Sequence, residues 1–186
     1  MKLKSINKVH EGKFITRYDI AYETVNGNEK IYEMISRDHA IHSASELQSK
    51  EPEAVVIIMH STDGNKILLN KEFRLATGQW VYNFPAGLID EGEDAKQSAI
   101  RELHEETGLD ILEITDTIGV SYSAVGFSNE KNVCVVGIAD GHFSESTSEV
   151  EEIKPGWYSK EEVRELLKNN MFAARTQAYC YMWSKA

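Results

Sequence analysis

The chain has 186 residues, of which 41% are hydrophobic and only 12 are Gly and 3 Pro, a profile that fits one compact domain with a real core and a small appended element. Two cysteines, Cys134 and Cys180, are too few for a disulfide framework, and neither a charged-then-apolar leader nor an 18-residue apolar run is found, so a reduced, cytoplasmic protein with no membrane partner is expected. A formal net charge of -10, from 20 basic and 30 acidic side chains, argues against nucleic acid as a partner, because phosphate binding needs a basic footprint.

Residues 3 to 36 read as strands. FITRYDIAYETV alternates apolar and polar residues, and Asn26-Gly27 in VNGNEK offers a hairpin turn before KIYEMIS. A small antiparallel β ribbon over residues 1–50 is therefore expected. The polar, aperiodic stretch RDHAIHSASELQSKEPE reads as a loop or boundary near residues 38 to 53. The main domain, residues 51–186, then opens with AVVIIMH and KILLNKEF as core strands around the turn STDGN. After an acidic helix come a strand near ILEITD, the apolar run NVCVVGIAD, and the helical patterns SKEEVRELLKN and FAARTQAYCYMW. Strands, a helix, then further strands and helices suggest a mixed sheet with helices packed on it.

The acidic stretch, GLIDEGEDAKQSAIRELHEETGL, spans residues 87 to 109 and holds seven carboxylates. Asp94 and Gln97 form a candidate capping box, which starts the helix near Ala95. Gly108 supplies a left-handed residue to close it near Thr107, with Leu109 folding back onto Leu103. At about 100° per residue, Ala99, Ile100 and Leu103 make an apolar arc, and Glu102, Glu105 and Glu106 fill the neighbouring one. Like charges at these spacings destabilise a helix by a few tenths of a kcal/mol per pair, and the helix C-terminus is itself negative. A hard divalent cation resolves the conflict, because Mg²⁺ favours carboxylate oxygens and shares its shell with substrate phosphates. The other reading of these glutamates is an exposed acidic helix with no ligand.

The spacing within this stretch carries more. Gly87, Glu93 after five residues, Arg101-Glu102-Leu103 after seven more, Glu105-Glu106 and Gly108-Leu109 match every position of the signature box of the Nudix hydrolases, which the chain resembles. The resemblance implies an α/β/α sandwich around a mixed sheet, binding of Mg²⁺ or Mn²⁺, and hydrolysis of a nucleoside diphosphate linked to another group. It assigns the metals to Glu102, Glu105 and Glu106, with the backbone carbonyl of Ala86 as a further ligand. Arg101 would orient the box through a two-pronged salt bridge to Glu93. The general base that takes a proton from the attacking water would be Glu105, or a glutamate of the later acidic loop SESTSEVEEIKPGW, where Glu149 and Glu151 rank ahead of Glu152. That loop also reads as simply solvated.

The segment KEFRLATGQWVYNFPAGLIDEGE resembles the ADP-ribose pyrophosphatase branch of that family. By that resemblance Arg74 contacts the diphosphate. The ribbon exchanges across a homodimer, and Phe14 stacks on the base; Phe14 also reads as an ordinary core or interface aromatic. The chain departs from the branch at Asn83, where Glu is usual, and at Ala124-Val125-Gly126, where Ser-Pro-Gly is usual. Nucleotide sugars such as GDP-mannose or UDP-glucose thus rival ADP-ribose, with Trp80, Tyr82 and Tyr122 lining a pocket or packing a core. A nucleoside triphosphate pyrophosphohydrolase is the alternative that the ribbon argues against. A non-catalytic nucleotide-sensing module would be expected to lose box glutamates, and none is missing.

Overall fold

The computed structural model describes residues 1–48, 51–147 and 151–186. The chain divides into two compact units, one of residues 1–53 with 120–132, the other of residues 54–119 with 133–186.

In the first unit β1 (Lys2–Glu11), β2 (Thr16–Glu23) and β3 (Glu29–Ser36) form an antiparallel sheet with β2 in the middle. The ribbon predicted from alternation is therefore present. Tyr18 and Ile20 of β2 point the same way, as a period of two requires, and pack with Met34 and Ile41. Gly27, at φ 79°, closes the β2–β3 turn in a conformation that side-chain-bearing residues avoid. The segment read as a loop near residues 38 to 53 contains one helical turn, α1 (Ala44–Leu47), with Ser43 and Glu46 in a capping box. A single turn is too short to show a period, so only the Ser-x-x-Glu pattern signals it. The Tyr18 hydroxyl donates to the Asp38 carbonyl at 2.8 Å and accepts from the Ile41 amide at 3.2 Å, tying this segment to β2.

The second unit is built on a seven-stranded mixed sheet. Its path runs β10 (Ile153–Ser159), β5 (Lys66–Arg74), β4 (Ala54–His60), β9 (Lys131–Gly141), β8 (Leu109–Tyr122), while β6 (Gln79–Asn83) pairs with β5 and β7 (Ala86–Leu88) with β4. Alternation along β4 divides its side chains between two cores. Val55, Ile57 and Met59 face α2 (Ala95–Thr107) with its Ala99 and Leu103; Val56 and Ile58 face α3 (Lys160–Asn169) and α4 (Ala174–Trp183) with Val163 and Cys180. Coverage on both faces explains why this strand is a continuous apolar run in sequence. The result is the expected α/β/α sandwich.

One sequence reading needs correction. Ile100 is 52% exposed; the buried line of α2 runs through Ser98, Ala99, Leu103 and Thr107, and Ile100 lies a further 100° or so around the helix from Ala99. Of the two readings given for Tyr82 the core one holds: it is 7% exposed and packs under α3 and α4, stacked on Phe172 at 5.2 Å. Tyr122, in the first unit, is half-exposed under the Lys131 ammonium, and the Trp80 ring has the Lys71 and Lys154 ammonium groups 5.8 and 4.7 Å from its centre. Among the described residues no helix is long and apolar enough to cross a membrane.

Replacing Tyr18 with Phe keeps the ring and removes both hydrogen bonds, leaving the buried Ile41 N–H and the Asp38 carbonyl without their partner. Denaturant unfolding of Tyr18→Phe is expected to show a loss of about 1–3 kcal/mol with the fold retained.

Candidate active site

The acidic box is positioned by both of its ends. β7 pairs antiparallel with β4, Ala86 opposite Val56 and Gly87 opposite Val55. After the loop that follows, Asp94 caps α2 by accepting from the Lys96 and Gln97 amides, while the Gln97 side chain accepts from the Asp94 amide. Gly108, at φ 77°, closes the helix through its N–H to the His104 carbonyl at 2.8 Å. Burial of Ala99 and Leu103 on β4 then fixes the rotation of α2 and presents the acidic arc to β7 and β5. Gly87 is needed here for space: a Cβ on it would overlap the Glu102 carboxylate.

Arg101 is the hub of the loop side. Its Nε and Nη2 donate to the two oxygens of Glu93 at 3.0 and 2.9 Å, the two-pronged bridge expected from sequence. Nη2 also donates to the Leu88 carbonyl at 3.1 Å, and Nη1 reaches Glu102 at 2.7 Å and Glu105 at 3.4 Å. With Ser98 Oγ donating as well, at 2.6 Å, Glu93 is held down to about 2, chiefly by Arg101. Glu93 is thus a permanent anion that anchors the loop to the helix.

The strand side is furnished by β5. Even-numbered residues of this strand face α2, and along that face the character changes from Leu68 to Asn70, Glu72 and Arg74. Asn70 Nδ2 donates to Glu106 Oε2 at 2.7 Å. Glu72 is 7% exposed and forms an ion pair with Arg74, whose guanidinium is half-exposed. Burial works against the charge of Arg74, and the Glu72, Glu151 and Glu106 carboxylates outweigh it to raise its pKa. Sequence reading singled out Arg74 but passed over Asn70 and Glu72. The available signal was position: Glu72 and Asn70 lie two and four residues before Arg74, on the same face of the strand.

These neighbours leave Glu106 in an unusual condition. Its pKa is pushed well above the ordinary carboxylate value, first by burial and then by the charges of Glu72, Glu102 and Glu151, against which the Asn70 hydrogen bond works. Burial also raises Glu102, in spite of Arg101. Glu105 is more open, its side chain 45% exposed. Its backbone carbonyl accepts from the Thr147 amide and that of Thr107 from the Ser144 amide, both at 3.0 Å, which lays the segment after β9 along the last turn of α2. Glu151, exposed at the foot of β10, acts electrostatically on both Glu106 and Arg74. Glu149 lies outside the described residues. Phe14 stands between β1 and β2 of the first unit, 64% exposed, with the Lys13 ammonium 4.9 Å from its ring centre.

Among the described residues no three His, Cys, Asp or Glu side chains converge as a preformed metal cage. Arg101 draws on Glu102 and Glu105 from one side and Asn70 holds Glu106 from the other. The donor set nonetheless fits a hard divalent ion: it is all oxygen, Glu72, Glu102 and Glu151 crowd Glu106 with no cation paired to it among the described residues, and Gly87 keeps the space beside Glu102 clear. Asn83 has a structural occupation, its Oδ1 accepting from the Phe84 amide at 3.0 Å and from Thr176 Oγ1 at 2.9 Å.

The NUDIX domain model matches residues 50–180 of this chain. An ADP-ribose pyrophosphatase of Saccharomyces cerevisiae is 30% identical over 142 residues, covering 74% of this chain and 58% of that protein. One from Bacillus subtilis is 31% identical over 123 residues, covering 66% of this chain and 58% of that protein. The chain thus spans about six-tenths of the length of the curated relatives it matches. A crystal structure of an ADP compounds hydrolase superposes with a TM-score of 0.73 at 18% identity, over 100% of this chain and 93% of that one, and shows a shared fold. With a sandwich of that architecture, a complete acidic box and a domain match over most of its length, the chain belongs to the Nudix family.

Proposed function

We propose that the chain hydrolyses the diphosphate linkage of ADP-ribose or a related nucleoside diphosphate sugar, using Mg²⁺ or Mn²⁺ held by Glu102, Glu105, Glu106 and the Ala86 carbonyl. The observation that carries this reading is the part-buried Glu106 carboxylate, crowded by Glu72, Glu102 and Glu151 and bonded by a neutral amide instead of a cation. An anion in that setting is stable only with a counter-ion. The names of the yeast and Bacillus relatives point to the same substrate class.

When bound, a divalent ion there neutralises diphosphate charge and makes water acidic enough to attack at neutral pH. Arg101 keeps Glu93, Glu102 and the loop after β7 in register, a positioning role. Arg74, at the open end of the β5 strip, binds the diphosphate; taking a phosphate oxygen loosens its hold on Glu72. Glu151 accepts the proton of the attacking water, in preference to Glu105, whose carboxylate is engaged by Arg101. Because Asn83 is bound to Thr176 and offers no carboxylate, a sugar other than ribose remains within the proposal. Residues 1–50 serve as a dimerisation ribbon that presents Phe14 to the base, and the enzyme works in the cytoplasm.

The test is a phosphate-release assay with ADP-ribose, GDP-mannose, UDP-glucose, dinucleotides and nucleoside triphosphates. Nucleotide sugars are expected to be cleaved with Mg²⁺ or Mn²⁺ and to stay intact in a chelator. If every compound stays intact with either ion while one binds tightly, the chain is a nucleotide sensor. Glu106→Gln is expected to lower turnover by orders of magnitude without unfolding the protein. The sign of its stability effect follows from burial: ionising Glu106 costs the fold nothing below its ordinary pKa and progressively more as pH rises through the raised one. In chelator, Glu106→Gln should therefore melt at or above the parent near pH ~8, the gap closing toward pH ~4. Glu151→Gln is expected to reduce kcat with little change in KM. Full activity in that variant would move the base to Glu105 or to Glu149.

A further inference from the structure

Asn70 occupies a place where an amide is costly. It is 2% exposed, it follows three fully buried apolar residues, Ile67, Leu68 and Leu69, and its Oδ1 has no hydrogen-bond partner. A leucine of similar shape would remove the unsatisfied oxygen, at the cost only of the bond to Glu106. The orientation of the amide is fixed by its one contact: turned over, Oδ1 would meet the Glu106 carboxylate, acceptor against acceptor. Whatever keeps an amide here acts through Nδ2, which donates to Glu106 Oε2 at 2.7 Å.

The kind of donor matters as much as its position. Glu93 and Glu102 are each held by Arg101, and Glu72 by Arg74; these cations fix a carboxylate and spend its charge. Asn70 fixes Glu106 through Oε2 alone and, being neutral, brings no cation to pair with it; among the described residues no side-chain hydrogen bond engages Oε1. From this contrast we infer that Asn70 is the positioning residue for Glu106, a neutral clamp that aims its carboxylate at the divalent ion without competing for it as a cation would. This rests on the reading of Glu106 as a metal ligand.

Direct measurement of Mn²⁺ binding to the full chain without substrate, by electron paramagnetic resonance, tests both levels. Asn70→Leu is expected to weaken Mn²⁺ binding about 10–100-fold, the range typical of groups that orient metal ligands, while still unfolding cooperatively. Asn70→Asp preserves the shape and places a second anion against Glu106. In chelator it should melt below the parent, and its gain in melting temperature on adding Mn²⁺ should exceed the parent's. Parent-like Mn²⁺ affinity in Asn70→Leu overturns the clamp, as does an Asn70→Asp variant with the parent's melting temperature and the parent's gain. Should Asn70→Leu fail to fold, Asn70→Asp decides alone. Glu106→Gln separates the two levels: if it binds Mn²⁺ as the parent does, the metal reading fails first; if it loses Mn²⁺ while Asn70→Leu retains it, only the clamp fails.

Discussion

The site is organised by one electrostatic constraint, the burial of a carboxylate among other carboxylates. Glu106 is forced into this position by packing: Ala99 and Leu103 must lie on β4, and their burial sets the rotation of the whole helix. Hydrophobic burial thus drives the acidic arc against β5, where Glu72 is already buried. The unfavourable term is local, and the apolar contacts that impose it are distributed over the sheet, so the fold can sustain it.

Charge around this point is shared out among unlike partners. Arg101 serves four acidic side chains, Asp90, Glu93, Glu102 and Glu105, and through the first two binds the loop to the helix. Arg74 balances Glu72 at the rim, and Asn70 restrains Glu106 without neutralising it. Two fixed cations against this many acidic groups leave an acidic surplus at the bottom of the site. An anionic substrate cannot enter such a field unaided, and the same surplus that repels it attracts a divalent ion.

Much of the architecture was legible because local signals and burial agree. The Asp94-x-x-Gln97 cap and Gly108 bound α2 where the pattern put them, β4 read as a buried strand from its unbroken apolar run, and the Asn26-Gly27 turn marked the ribbon. The misreading falls where local pattern and tertiary packing part company. Ile100 looked like core because it is apolar next to Ala99, yet one residue along a helix is a large rotation away from the buried line. For Tyr82 the sequence left pocket and core open, and strand alternation decides for the core under α3 and α4.

What the amino-acid order determined by itself was the chemistry on α2: the spacing of Glu93, Arg101, Glu102, Glu105 and Glu106 is a property of one loop and one helix, and 3.6-residue periodicity suffices to group them. What only the tertiary structure decided was the opposing wall. Asn70 and Glu72 precede Glu106 by more than thirty residues, and nothing local says that their side of β5 meets the acidic side of α2. That meeting follows from which face of a two-faced sheet the helix covers, a matter settled by the sum of long-range apolar contacts.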